Sequence, residues 1–275
     1  MFQSTAQDDE TMVDSLLDEF LSADNQIIDD LLLSLSNFNL IYASTTYNTK
    51  TYFSGRDIGI DQYNISTQLT YANSNGFYTG ISGAYFSQFY PKWDVTTLYI
   101  GFGNYLNKQK TLSYNTAYSR YFYANSEDNI FANTLDFGLG IRTKNKILAT
   151  QLTGSYLFGK ESSFHFLSKT YFKTNLLKEK NTLITIKPQL NIFFGKQTIE
   201  LSRIDIIENI PETTYSKNTV FDLINTQLIF PVECTFNNFD ICFGYTFNFP
   251  HPIGEEVSLK TTSFFNFSLG YLLEL

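Results

Sequence analysis

The sequence predicts an all-β chain: a transmembrane antiparallel β-barrel of about twelve strands, preceded by a short N-terminal amphipathic helix. Three observations predict it. From Phe38 onward, apolar and small polar residues alternate with a period of two. Every second connection between the alternating stretches is tight and polar, the signature of short turns on one side of a membrane. The composition, with 27 Phe and 19 Tyr in 275 residues and 17% charged side chains, suits a pleated surface.

The alternation marks strands at 38–53, 63–73, 77–89, 93–106, 111–124, 130–143, 146–158, 162–176, 182–195, 219–236, 239–249 and 259–275. Most reach the ~9–11 residues that a tilted strand needs to cross a bilayer. The tight connections are Ser74-Asn75-Gly76, Asn107 to Lys110, Lys144-Asn145, Leu177 to Asn181, and Asn237-Asn238. Those between them vary, and one, at 196–218, is expected as a long external loop. An even strand count returns both termini to the periplasmic side.

In the stretch 130–143, Phe131, Leu135, Phe137, Leu139 and Ile141 share one face, and Thr134, Asp136, Gly138, Gly140 and Arg142 the other. The last strand collects Phe265, Phe267, Leu269, Tyr271, Leu273 and Leu275 on a single face. Such alternation says only that one face is apolar; the polar face separates a membrane barrel from a soluble one. A soluble barrel directs Lys and Glu to water. Here that face is mostly Gly, Ser, Thr, Asn and Gln, which suit a crowded lumen, while aromatic rows suit lipid. The mean hydropathy of −0.15 and the short apolar runs exclude a helical membrane protein, not an alternating barrel.

Charge divides the chain. Residues 1–37 hold nine acids and no base, and the remainder balances 19 bases against 18 acids. No basic nucleic-acid footprint is present. Residues 1–7 are expected to be a signal-peptide remnant: Ser4-Thr5-Ala6-Gln7 matches a small-residue cleavage tail, and the segment is too short for the apolar core of ~7–15 residues. Residues 8–36 form an acidic helical segment with Val13, Leu16, Leu17, Phe20, Ile27, Ile28 and Leu31 at helical spacing. It reads either as a plug or lid on its own barrel or as a dock for another protein. Binding to an anionic membrane surface is disfavoured, since such helices are rich in Lys and Arg. Residues 37–275 are the barrel.

The final strand resembles the C-terminal assembly signal of outer-membrane barrels, with Phe267, Leu269, Tyr271 and Leu273 in place and Leu275 where that signal ends in an aromatic. The stretch Ser54-Gly55-Arg56-Asp57-Ile58-Gly59-Ile60-Asp61-Gln62, with Pro91-Lys92-Trp93, is similar to outer-membrane barrels of Bacteroidota type over the first three strands. The resemblance implies the outer membrane of a Gram-negative bacterium, with its lipid as partner, and implies no activity.

Chemistry is sparse, with His165 and His251 the two histidines. Ser163-Phe164-His165 resembles, in reverse order, the His-x-Ser arrangement of outer-membrane phospholipases. Parity puts the pair on the lumen face, away from lipid, so a satisfied polar pair is expected. No calcium-loop or zinc-ligand spacing occurs, and no catalytic, metal or cofactor residue is assigned. Cys234 and Cys242 flank the Asn237-Asn238 turn, which puts their thiols on opposite faces, out of disulfide reach.

The candidate lumen-lining residues are Arg120, Asp136, Arg142, His165, Lys169, Lys173, Lys187, Glu233, Asp240 and Glu274. They either pair across a filled interior or line water, and about twelve strands lies between a filled barrel and an open pore. Three functions follow. The first is an accessory or scaffold subunit of an outer-membrane complex, with protein partners in the membrane or periplasm. It rests on the acidic helix and on Ile204, Ile206, Ile207 and Ile210 in the long loop. The second is a passive channel or small-solute transporter using the lumen charges. The third is a lipid-modifying enzyme centred on His165.

Overall fold

The computed structural model describes residues 39–57, 59–124, 130–207, 210–253 and 259–275, with backbone alone over 197–207 and 210–219. The seven apolar residues of the acidic segment, from Val13 to Leu31, lie outside the described residues.

The strands are β1 (Asn39–Asn48), β2 (Asn64–Asn73), β3 (Phe77–Phe86), β4 (Trp93–Tyr105), β5 (Leu112–Tyr123), β6 (Phe131–Arg142), β7 (Leu148–Gly159) and β8 (Ser162–Phe172). They continue with β9 (Thr174–Lys178), β10 (Thr182–Ile186), β11 (Gln189–Ile207), β12 (Ile210–Phe236), β13 (Phe239–Pro250) and β14 (Thr262–Glu274). Each pairs antiparallel with its neighbours; β1 pairs with β14, and β11 with both β8 and β12, so the ring closes. β8 and β9 are one strand interrupted at Lys173. β10 and β11 are one strand interrupted at Lys187-Pro188, where the proline has no N–H to give the ladder. The ring is therefore a closed barrel of twelve antiparallel staves.

Closure removes every edge from the wall proper. The β9–β10 hairpin continues past the ring on β12, through Thr182↔Phe236 to Ile186↔Val232. At the tight-turn end Gly76, at φ +92, closes the β2–β3 turn, where a Cβ would stand 2.0 Å from the Gly103 carbonyl oxygen. The two-residue Asn237-Asn238 turn sets Cys234 opposite Ile241 and Cys242 opposite Glu233, and both cysteines are free.

The 196–218 stretch, read above as a loop, has paired backbone: β11 and β12 continue as a two-stranded ribbon from Lys196↔Phe221 to Ile207↔Ile210. β8 leaves β11 at Gly195, and β13 leaves β12 at Asn225, so the ribbon stands clear of the wall. The cause is the alternation Ile199-Glu200-Leu201-Ser202-Arg203-Ile204, strand-like in its own right.

The two faces differ as one apolar and one polar solvent require. Leu98, Ile100, Leu135, Phe137, Leu139, Phe243, Phe265 and Leu269 are exposed on the outside. Inside, Thr70, Thr97, Thr134, Asn191, Asn225, Thr246 and Asn248 are buried. Lumen glycines seat the rings of adjacent staves: a Cβ at Gly101 would meet Tyr78, and one at Gly270 would meet Tyr42.

Candidate functional site

The lumen is layered from one end to the other. At the loop end the β1–β2 connection folds inward over the mouth. Phe53 and Arg56 bridge, and the two residues between them, Ser54 at φ 49 and Gly55 at φ 80, take the left-handed pair that a tight hairpin turn needs. Phe53 is fully buried and stacks on Phe86 and Phe89, at 6.3 and 5.8 Å. On the opposite side, Thr262 Oγ1 donates to the Gly55 carbonyl at 2.8 Å and Arg56 Nη2 to the His251 carbonyl at 3.0 Å. The loop thus reaches from β3 to β12–β14. Just past the end of β13, Ile253 packs on Leu167, Phe193 and Ile224. His251 shares a hydrogen bond with Thr226 at 3.1 Å.

Below the mouth, a ladder of side-chain amides crosses three staves and ends on the Thr262 hydroxyl of a fourth. Gln189 Nε2 donates to Asn191 Oδ1 at 2.6 Å, Asn191 Nδ2 to Gln227 Oε1 at 3.2 Å, and Gln227 Nε2 to Asn248 Oδ1 at 2.8 Å. Asn248 Nδ2 then donates to Thr262 Oγ1 at 3.1 Å, which passes the chain to Gly55. All donors point the same way, so each bond polarises the next. A scan for charged residues misses this ladder, although strand parity alone would place its amides inside.

Further lumen carboxylates are met by hydroxyl donors on the neighbouring strand. Ser155 Oγ donates to Asp136 at 2.6 Å, and Thr235 Oγ1 to Asp240 at 2.6 Å. Ser163 and His165 are buried and share a hydrogen bond at 3.2 Å. His165 Nδ1 has no partner among the described residues, so no third group orients the ring as a nucleophile–base pair requires.

At the tight-turn end the lumen holds a cavity of about 80 Å³, with Arg142, Lys169 and Lys187 in its lining. Lys169 faces Gln151 on β7 and Asn191 on β11. Lys187 sits at the β10–β11 break, its Nζ 4.4 Å from the centre of the Tyr171 ring. Arg142 ends β6: its Nε donates to the Lys110 carbonyl at 2.5 Å, and its guanidinium lies 4.9 Å from the centre of the Tyr105 ring.

Of the remaining sequence candidates, Glu233 is half-buried on the lumen face, Lys173 half-buried at the β8–β9 break, and Glu274 exposed at the rim opposite Leu40. Arg120 is a correction. It stands on the outer face, opposite Leu98 and Asn133, while Ser119 and Tyr121 beside it are the buried lumen residues. β5 carries tyrosines on both faces, so parity gave no contrast. Near the loop end an outward arginine keeps its charge at the interface, where Nη1 donates to Asn133 Oδ1 at 2.9 Å and the guanidinium lies 5.7 Å from the centre of the Phe122 ring. Among the described residues, no group of three or more His, Cys, Asp or Glu could hold a metal.

No protein-family model matches the chain, and no curated protein matches it. Among solved structures it is similar to the KdgM porin, at 8% identity and a TM-score of 0.48, over 85% of this chain and 98% of that one. It is likewise similar to the NanC porin, at 6% identity and 0.48, over 84% and 98%. The translocator domain of the autotransporter NalP from Neisseria meningitidis aligns at 10% identity and 0.48, over 98% and 99%.

Proposed function

We propose that this chain is a passive channel for small solutes in the outer membrane of a Gram-negative bacterium, closed in the described state by its loop end. The observation that carries the reading is the lumen itself. An apolar outer face surrounds a polar interior that is not filled: a cavity of about 80 Å³ remains at the tight-turn end. A barrel serving only as a spacer gains nothing from an unfilled interior, because voids cost packing energy. β1 to β8 have ten to thirteen residues each, enough to cross a bilayer. The likeness of Ser54 to Gln62 to Bacteroidota barrels supports the same location.

The accessory-subunit reading rests on the acidic segment and on the side chains of Ile204, Ile206, Ile207 and Ile210, all outside what is described. The enzymatic reading lacks an orienting partner for His165. The lumen therefore favours transport.

Planar-bilayer recordings test this. The full chain is expected to give rare, brief conductance steps, and a variant with residues 51–62 replaced by a short Gly-Ser linker sustained ones. Two electrically silent proteins, each still migrating as a folded barrel on an unheated gel, would contradict the channel reading.

A further inference from the structure

We infer that the acidic segment 8–36 lies as a strap across the tight-turn mouth of its own barrel, held by a basic arc on the far rim. The inference does not depend on transport, and its test needs no current.

The tight-turn rim carries its charge on one side. Lys108 and Lys110 are in the β4–β5 turn, Lys144 and Lys146 in the β6–β7 turn, and Lys178 and Lys180 at the tip of the β9–β10 hairpin, all exposed. Glu179 is the acid among them. The three turns are tied together: Arg142 Nε donates to the Lys110 carbonyl, and the Lys173 N–H to the Ile147 carbonyl at 2.7 Å. The other turns at this end, Ser74-Asn75-Gly76 and Asn237-Asn238, are uncharged. Turn geometry does not ask for the lysines. Lys110 at φ 55 and Lys146 at φ 59 fill left-handed positions that glycine or asparagine takes at less cost. The loop end mixes its signs instead, with Lys50 and Asp61 paired at 3.6 Å and Lys160 beside Glu161.

The complementary charge is in the chain itself. Residues 8–36 hold nine acids, from Asp8 to Asp30, and no base. They join the barrel at Asn39, where β1 meets β14 on this same rim. The β6–β7 turn stands six staves from that seam in either direction, so the arc faces the entry across the mouth. Glu274, exposed beside the entry, repels the acids from the near side. Twelve tilted staves ~4.8 Å apart close a ring roughly 24 Å across. The nine steps from Asp30 to Asn39 span up to about 30 Å when extended, so every acid of the segment can reach the arc. Docked there, the strap covers the cavity, whose lining includes Ser74, Gly76 and Thr111 of this rim.

Thiol cross-linking with a short bis-maleimide reads the docked state in the folded full chain, with Cys234 and Cys242 replaced by Ala. Ser22→Cys is paired either with Gln109→Cys, inside the basic arc, or with Asn75→Cys, in the neutral turn beside the entry. At about 10 mM salt, where charges act over ~30 Å, the Gln109 pair is expected to react about tenfold faster than the Asn75 pair. At about 1 M salt, where screening leaves ~3 Å, the order should reverse, because a free tether meets the nearer turn more often. Recordings in such salt therefore read the loop end alone. Lys108→Gln, Lys110→Gln, Lys144→Gln and Lys146→Gln together should reverse the order at low salt. So should Asp14→Asn, Asp18→Asn and Glu19→Gln together, a set that leaves the barrel untouched.

Equal or faster reaction of the Asn75 pair at low salt overturns the inference. So does a Gln109 preference that survives 1 M salt or either set of neutral substitutions. Cross-linked dimers in place of monomers also overturn it, and give the arc to a second copy of the chain.

Discussion

Gly55→Val is expected to raise the fraction of time the channel is open by about tenfold. Gly55 lies at φ 80, where an L side chain is strained by roughly 1–2 kcal/mol. A Cβ there would stand 2.6 Å from Asn225 Nδ2, so the β1–β2 turn must lift off β12 or push it aside. Each ~1.4 kcal/mol taken from the closed state shifts the open-to-closed ratio tenfold. Stability of the barrel should hardly change, because the β1–β14 seam, from Leu40↔Glu274 to Asn48↔Asn266, does not use the turn. Thr262→Val provides an independent check. It removes the donor to the Gly55 carbonyl and the acceptor that ends the amide ladder, worth about 0.5–1.5 kcal/mol, so a smaller, several-fold rise is expected. Single-channel recordings read both, and an open fraction unchanged in each variant would show that the inward loop does not close the mouth.

The second large effect concerns the outer face. Phe243 is 61% exposed near the middle of β13, opposite Val232 and Phe267. Phe243→Arg is expected to destabilise the lipid-embedded barrel by about 2–4 kcal/mol, the cost of a guanidinium at the bilayer midplane. Phe239→Arg, at the tight-turn rim of the same strand, should cost only about 0–1 kcal/mol. Denaturant unfolding in lipid vesicles measures both, and equal costs would mean that this face has no depth in a membrane. Arg120 shows the depth rule in the native chain: the outward guanidinium sits near the loop end of β5, not at its centre.

How far the sequence reads correctly follows from how local the signals are. The staves are legible because alternation is a local property, and each tight turn fixes the register of the two strands it joins. Asn237-Asn238 sets the Cys234↔Ile241 pair without help from the rest of the chain. The break at Lys187-Pro188 was missed: 182–195 read as one strand, although a proline cannot serve a central ladder. Arg120 was misplaced because β5 has aromatics on both faces and so no contrast to read. The closed mouth was beyond local reading: it depends on Gly55 meeting Asn225 and Thr262, far away in sequence, and these become neighbours only when the ring closes. The cavity at the tight-turn end fell between these cases. Arg142, Lys169 and Lys187 could be placed inside by parity, but that they line one cavity needs the curvature of the wall.

The central claim is that the aromatic and aliphatic outer face meets lipid while its neighbours one residue away do not. Cysteine labelling in reconstituted vesicles tests it most directly. In a background with Cys234 and Cys242 replaced by Ala, Leu135→Cys, Phe243→Cys and Leu269→Cys should react with a bilayer-soluble maleimide and resist a charged, water-soluble one. Ready reaction of all three with the water-soluble reagent would contradict the claim and leave the chain a soluble barrel.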